Sequence, residues 1–295
     1  MVLVAAGQFC AKAALSKNLE AVSGIITDAA RAGAKMIFLP EASDFIANNA
    51  DESASLTKPL PQNEFVQGVR AKAKETGVWV SVGVHETSLD PKRGFNSHLL
   101  IDSSGEVVSN YHKIHLFDVD IPGGTRLMES DTTMPGDRLH DPIETPAGKR
   151  ESISVFRVAI VPVNEVISLL TCYDIRFPEA AQVLKSRGAE ILAYPSAFTA
   201  RTGAAHWEVL LRSRAIETQS YVIGAAAVGQ HSQTRTSWGH AMIVDPWGTI
   251  LAQCTDLFHE QPTFCLANVD LGGVREIRTR MPVDKQRRTD IYPTV

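Results

Sequence analysis

Three reactive side chains each stand directly after an apolar run: Glu41 after "MIFLP", Lys113 after "EVVSNYH" and Cys172 after "VISLLT". Strand ends of that kind are where ligand crevices open in sheets covered by helices. The chemistry of the three is complementary. A thiol attacks best as a thiolate, so it needs a base or a nearby positive charge. A carboxylate can accept its proton, and a lysine can hold the local charge down and face the oxygen of a tetrahedral intermediate. One such oxyanion donor is worth about 3 kcal/mol, and the backbone N–H of Tyr173 is the natural second donor. Taken singly, each residue has an ordinary alternative. Cys172 could be a small buried hydrophobe, and Glu41 and Lys113 could be solvated surface charges. The combination carries the signal.

A rival base for the thiol is His112 or His115 in "YHKIHLF". Those histidines read equally as structural groups donating to carbonyls or facing solvent. A metal site is not expected, because His-x-x-His stands without a second ligand cluster. Neither G-x-G-x-x-G nor a P-loop occurs, which argues against a nucleotide enzyme.

Elements must bring these residues together across gaps of about 60 to 70 positions. Residues 2–9 read as a buried strand. Residues 16–33 have helical spacing, with Leu19, Val22, Ile26, Ala29 and Ala30 on one face and Gly33 at the stop. Residues 63–76 form a second helix closed by Gly77. "VWVSVGVHE" reads as a strand, and "NSHLLIDSSGEVVSNYHK" as a hairpin turning at Ser104-Gly105. After Cys172 the pattern repeats. "PEAAQVLKSRG" is a helix with Pro178 near its start, "EILAYPS" a strand, and "AHWEVLLRSRAIETQ" a helix with Trp207, Leu210, Leu211 and Ala215 on one stripe. "YVIGAAAVG" reads as one strand, "HAMIVDPWGTILAQC" as a hairpin turning at Pro246 to Gly248, and "TFCLANVD" as a last strand. Trp247 belongs to that turn and Trp207 to the core. Strands alternating with helices, mixed with hairpins, imply mixed sheets covered by helices in one domain over 1–295.

Composition narrows the class of partner. The net charge is -4 and the pI about 6.1, which gives no sign of a nucleic-acid partner. The basic run "REIRTRMPVDKQRR" reads as a solvated, salt-bridged surface. The four cysteines, Cys10, Cys172, Cys254 and Cys265, form no C-x-x-C pair and suggest a reducing compartment. "MVLVAAGQFC" lacks the basic flank of a signal peptide and the Arg-rich character of a transit peptide, so a cytoplasmic location is expected. No run reaches the length of a membrane span.

With those residues in hand, the sequence resembles the carbon–nitrogen hydrolase (nitrilase) superfamily. "MIFLPEASDF", "NYHKIHLFD" and "LLTCYDIRFPE" are similar to its glutamate, lysine and cysteine motifs, in the same order and at similar spacing. The likeness runs from "VAAGQF" to "RTRMPVDKQRRTDIY". It implies an α/β fold, a four-layer αββα sandwich, and a triad that works without a cofactor: Glu41 as general base, Lys113 as oxyanion donor and Cys172 as nucleophile. Glu129 in "LMESDTTMPGD" matches a second family glutamate that orients the lysine or the substrate. Within the superfamily, "TCYDIRFPE", "PSAFTARTGAAHWEVLLRSRAIETQSYVI" and "GHAMIVDPWG" look most like the Nit branch. They stand closer to the enzymes acting on deaminated glutathione than to the ω-amidases that act on α-ketoglutaramate. The implied reaction gives 2-oxoglutarate and cysteinylglycine. A substrate of that kind carries carboxylates, so Arg176 and Arg201 are expected at the ligand with Tyr173, Phe198 and Thr199. Arg176 could instead pair with Asp174 or Glu179, and Phe198, Thr199 and Arg201 could simply pack a loop. The family also implies a homodimer or larger homo-oligomer. One departure stands out: between "TPAGK" and "LLTCYD" relatives have only a few residues, whereas here "RESISVFRVAIVPVNEVIS", with Pro162, intervenes.

Overall fold

The computed structural model describes residues 1–120, 126–145, 165–256 and 261–292. Most of the intervening segment, residues 150–164 with Pro162, lies outside the described residues.

The first half alternates strands and helices: β1 (Val2–Phe9), α1 (Leu15–Arg31), β2 (Met36–Phe38), α2 (Ala50–Leu56), α3 (Glu64–Thr76) and β3 (Trp79–Thr87), followed by the hairpin β4 (Gly94–Ile101) and β5 (Val107–His112). Short strands β6 (Asp118–Asp120), β7 (Arg126–Met128), β8 (Thr133–Met134) and β9 (Ile143–Thr145) lead into the second half. That half runs β10 (Glu165–Leu169), α4 (Pro178–Ser186), β11 (Ile191–Ala193), α5 (Ala200–Thr218), β12 (Tyr221–Gly224), β13 (Ala226–Gln230) and β14 (Thr236–Trp238). It ends with β15 (Met242–Val244), β16 (Ile250–Gln253), β17 (Thr263–Val269) and α6 (Leu271–Arg280).

These strands make two large mixed sheets. The first has the order β14-β13-β1-β2-β3-β4-β5, with β17 on β1 and β8 on β4; the second has the order β16-β15-β12-β11-β10-β9. The central strands β13, β1, β2 and β3 are parallel in one sheet and β10, β11 and β12 in the other, and antiparallel strands continue both. Alternation along the strands sets the layers. Ala5, Ile37, Leu39, Leu99 and Ile101 turn to one side and pack with Val22, Ile26 and Ala29 of α1 and Phe65, Val66 and Val69 of α3. Val4, Ala6, Met36, Phe38, Leu100 and Tyr111 turn to the other side and join the core of the second sheet, which α4 and α5 share through Ala181, Leu184, Trp207 and Leu211. Burying one such large apolar side chain contributes about 1.5–3 kcal/mol. The result is the four-layer αββα sandwich.

The helices end where chain chemistry requires. Asn63 caps α3 through its side-chain oxygen, which accepts from the amides of Phe65 and Val66, and Gly77 closes it with φ of 67°. Pro178 opens α4 at its first turn. The basic run near the C-terminus is salt-bridged, as its composition suggests. Arg275 binds Glu190 bidentately at 2.7 and 3.0 Å, and Arg278 donates to the carbonyls of Ala189, Thr218 and Gln219.

Two local readings need correction, and one helix has no sequence signal. "YVIGAAAVG" is two strands, not one: the chain leaves the second sheet after Gly224 and enters the first at Ala226, with Ala225 between them. Its uniformly apolar residues are buried on both sides of the crossing, so no hydropathy change marks it. Helix α2 buries none of its residues, so no apolar stripe marks it in the sequence. Helix α5 begins at Ala200, not Ala205, because the Thr199 hydroxyl caps it by accepting from the Thr202 amide at 3.4 Å.

Candidate active site

Glu41 follows the short parallel strand β2. Pro40 has no N–H to give; its carbonyl accepts from the Gly83 amide at 3.1 Å and the Ser43 hydroxyl at 2.7 Å. Ala42 then turns back with φ of 52°. The buried Asp44 locks this turn onto β3 by accepting from the His85 amide and ring, each at 2.9 Å. Glu41 is thereby held 5% exposed with both oxygens occupied. Its Oε1 accepts from Asn96 Nδ2 at 2.7 Å and Lys113 Nζ at 3.0 Å, and its Oε2 accepts from the Ala197 amide at 2.9 Å.

Lys113 leaves the end of β5. Its amide donates to the Asn96 carbonyl on β4, and its carbonyl accepts from the Gly136 amide, each at 2.9 Å. Its ammonium has three N–H bonds and spends all of them on carboxylates: one on Glu41 and two on Glu129, at 3.1 and 2.8 Å. Glu129 begins a 3₁₀ turn directly after β7 and is fixed in return by the Phe117 amide, which donates to its Oε2 at 2.7 Å.

Cys172 follows β10 in a strained backbone conformation, with φ of 45°. The Cys172 amide donates to the Pro195 carbonyl at 3.0 Å, which ties the turn to the end of β11. Asp174, fully buried, braces the same turn. It accepts from the Thr171 amide at 2.9 Å, the Tyr111 hydroxyl at 2.7 Å and the His115 amide and ring at 3.0 and 2.8 Å. One carboxylate thus joins the cysteine turn to the segment carrying Lys113.

The electrostatics separate the protonation states. Burial raises the Glu41 pKa, but the charge of Lys113 and bonds from Cys172 and Asn96 outweigh it, so the carboxyl ionises more easily than usual. Burial disfavours the charged ammonium of Lys113, yet Glu129 and Glu41 hold it firmly protonated. Burial, and then the Glu41 charge, push the Cys172 thiol well above its ordinary value, against the pull of Lys113. A protonated thiol therefore rests against an ionised carboxylate. Proton transfer between them is the chemistry this arrangement can support.

The carbon-nitrogen hydrolase family model matches residues 3–279. This chain belongs to that family. Over 294 residues the carbon–nitrogen hydrolase is 45% identical to the deaminated glutathione amidase of Homo sapiens, covering 98% of this chain and 83% of the human protein. It is 44% identical over 296 residues to the probable hydrolase nit2 of Schizosaccharomyces pombe, covering 100% of both. The crystal structure of the C. elegans NitFhit protein superposes with a TM-score of 0.87 at 39% identity, covering 99% of this chain and 66% of that one.

Around the three motif residues of this hydrolase, the other expected positions divide. Arg176 makes no carboxylate pair among the described residues, so the expected alternative with Asp174 or Glu179 does not form. Its guanidinium lies 5.7 Å from the Tyr173 ring centre and 5.5 Å from that of Phe198, with Nη2 3.2 Å from His206 Nδ1. Phe198 is buried and packs on Trp207 at 5.0 Å. Thr199 caps α5, and Arg201 is exposed in the first turn of that helix, not on a loop. His112 bonds Glu86 at 3.0 Å and stacks on Phe95, and His115 serves Asp174 and stacks on Phe177. Both are accounted for as structural groups. Among the described residues no His/Cys/Asp/Glu cluster has the makings of a metal site, and no helix is long and apolar enough to cross a membrane. Sequence reading missed Asn96, the Ala197 amide and Asp174. Asp174 is the one with a signal: a carboxylate two residues after the cysteine.

Proposed function

We propose that this carbon–nitrogen hydrolase is an amidase that cleaves the amide of deaminated glutathione to 2-oxoglutarate and cysteinylglycine. The observation that carries the reading is the meeting of an ionised Glu41, a charged Lys113 and a protonated Cys172, which follow β2 and β5 of one sheet and β10 of the other. The substrate reading is supported by the human relative's name and by Arg176, a cation on an aromatic platform with no carboxylate partner among the described residues.

In this reading Cys172 Sγ attacks the amide carbon while its proton passes to Glu41. Protonation removes the Glu41 charge and weakens its hold on Lys113, so one ammonium N–H is released to face the new oxyanion beside the Tyr173 amide. Glu129 keeps the ammonium in place throughout. Collapse breaks the C–N bond; Glu41 returns its proton to the leaving nitrogen, and cysteinylglycine departs. A water then loses a proton to Glu41 and attacks the thioester, and the thiol is regenerated with 2-oxoglutarate as the second product. Arg176, Tyr173 and Phe198 form the substrate-binding face, with Thr199 and Arg201 at its edge.

The same reading takes 1–295 as one domain, which the extent of the family match supports. A cytoplasmic location agrees with four cysteines of which none is in a disulfide. Homo-oligomer formation is supported by the exposed Val209 and Ile216 on α5 and the exposed Trp247.

The test is a comparison of kcat/KM for deaminated glutathione and α-ketoglutaramate, with Cys172→Ala as the blank. A preference of at least about tenfold for deaminated glutathione is expected, with turnover lost by about a thousandfold or more in the blank. The opposite preference would make the protein an ω-amidase. Turnover within tenfold of wild type in Cys172→Ala would end the thioester mechanism.

A further inference from the structure

Asn96 touches all three members of the charged cluster. Its side-chain nitrogen has two hydrogens and donates one to Glu41 Oε1 at 2.7 Å and one to Glu129 Oε1 at 3.1 Å. Its backbone carbonyl receives the Lys113 amide at 2.9 Å. Antiparallel pairing with His85 on β3 fixes it from the opposite edge. The residue is buried, and it brings donors into the cluster without adding charge.

The two oxygens of Glu41 are therefore unlike. Oε1 carries two side-chain donors, Asn96 and Lys113, whereas Oε2 carries one backbone donor, the Ala197 amide. That same amide also interacts with the Cys172 sulfur, so Oε2 is the oxygen on the thiol's side. We infer that Asn96 is a positioning residue that holds Oε1 as the hydrogen-bonded oxygen and so leaves Oε2 to take the Cys172 proton. The bond suits both states of the base. When Oε2 is protonated, Oε1 becomes a carbonyl oxygen and still accepts from Asn96, even as Lys113 turns to the oxyanion. Asn96 then keeps the base oriented through both halves of the cycle. The inference rests on the reading of Glu41 as general base.

Among the described residues, Lys113 beyond β5, Cys172 after β10 and the neutral, buried His98 on β4 face Glu41, and Glu129 after β7 shares Lys113 and Asn96 with it. Loss of the Asn96 donor favours the protonated carboxyl, and the acid limb of Glu41-dependent reactions moves up in pH.

The experiment follows Cys172 alkylation by iodoacetamide against pH, reading the Cys172 peptide by mass spectrometry. Wild type is compared with Asn96→Ala, Asn96→Ser and Glu41→Gln, and kcat and KM on deaminated glutathione are measured alongside. The expected result for Asn96→Ala is an acid limb raised by about one pH unit, kcat lower by about 10- to 100-fold and KM within about threefold. Asn96→Ser carries the test if the alanine variant does not fold. An unchanged acid limb in the folded Asn96 variant overturns the proposal, whether or not activity falls. If Glu41→Gln also alkylates with the wild-type profile, the general-base reading fails with it. If Glu41→Gln loses the acid limb while the Asn96 variant keeps it, the Asn96 proposal fails alone.

Discussion

Gly83 lies so close beneath Glu41 that a Cβ on it would stand 2.6 Å from the Glu41 Cα and 3.0 Å from the Pro40 carbonyl oxygen. The neighbours are backbone, so the strain has no flexible side chain to absorb it. The turn and β3 also bond here: the Gly83 amide donates to the Pro40 carbonyl, and the Gly83 carbonyl accepts from the Ser43 amide. A glycine on β3 therefore sets how deep the Glu41 turn can sit.

Gly83→Ala is expected to displace that turn. Overpacking of this kind costs about 1–3 kcal/mol of stability. A displaced base loses at least about tenfold in kcat, the equivalent of about 1.4 kcal/mol in the barrier. Gly24→Ala is the control: nothing lies within 4 Å of its Cβ position in α1, and it should raise stability by about 0.5–1 kcal/mol. Thermal melts and steady-state kinetics on both variants check this. Wild-type kcat in Gly83→Ala would show that the turn has room to spare.

Arg176 is expected to act in substrate binding. Charge-assisted bonds to a carboxylate are worth about 1.5–3 kcal/mol. Arg176→Gln should therefore raise KM for deaminated glutathione by about 10- to 100-fold and leave kcat within about threefold. Arg176→Lys should recover part of the loss, since it restores the charge without the planar fork. Unchanged KM in the glutamine variant would remove Arg176 from the binding face.

His98 should make the protein acid-sensitive well above the carboxylate range. Burial pushes its pKa down to about 4, outweighing the bond to the Leu170 carbonyl and the charge of Glu41. That carbonyl only accepts, so Nδ1 donates to it at 3.0 Å, and Nε2 accepts from the Ser81 hydroxyl at 2.6 Å. Between pH 6.5 and 4 the unfolded chain binds a proton here that the folded chain refuses. Stability thus falls as pH drops through that window, by about 1.4 kcal/mol per unit. His231, also pushed down to about 4, acts in the same direction. Urea unfolding at pH 7.5 and pH 5 should show a pH-dependent loss smaller by about 2 kcal/mol in His98→Gln than in wild type. An equal loss in both would mean that His98 is not the group responsible.

Much of this protein was legible as a string of residues. Helical periodicity marked α1, α3 and α4, because burial of one face leaves a local trace. The apolar runs before Glu41, Lys113 and Cys172 placed each of them at a strand end, and their types indicated a thiol, a base and a cation. Even the salt-bridged nature of the C-terminal basic run was readable, since a dense mixture of charges is ordinarily solvated and paired. Apart from the unburied α2 and the Thr199 cap of α5, the departures arose where partners lie far along the chain. Nothing near Asn96 announces that it will bridge two glutamates, 55 and 33 positions away. Nothing near Ala197 shows that its amide will meet Glu41, 156 positions earlier. Nor does "YVIGAAAVG" disclose that its two halves belong to different sheets.

Residue order alone determined the reactive groups and the elements that carry them, because those depend on side-chain chemistry and on periodicity over a few turns. The folded molecule decided which carboxylate oxygen meets which donor, that Arg176 meets no carboxylate among the described residues, and that Lys113 is fully engaged at rest. Such pairings depend on strand register within the first sheet and on how the second sheet lies against it, relations between segments that no one segment encodes by itself.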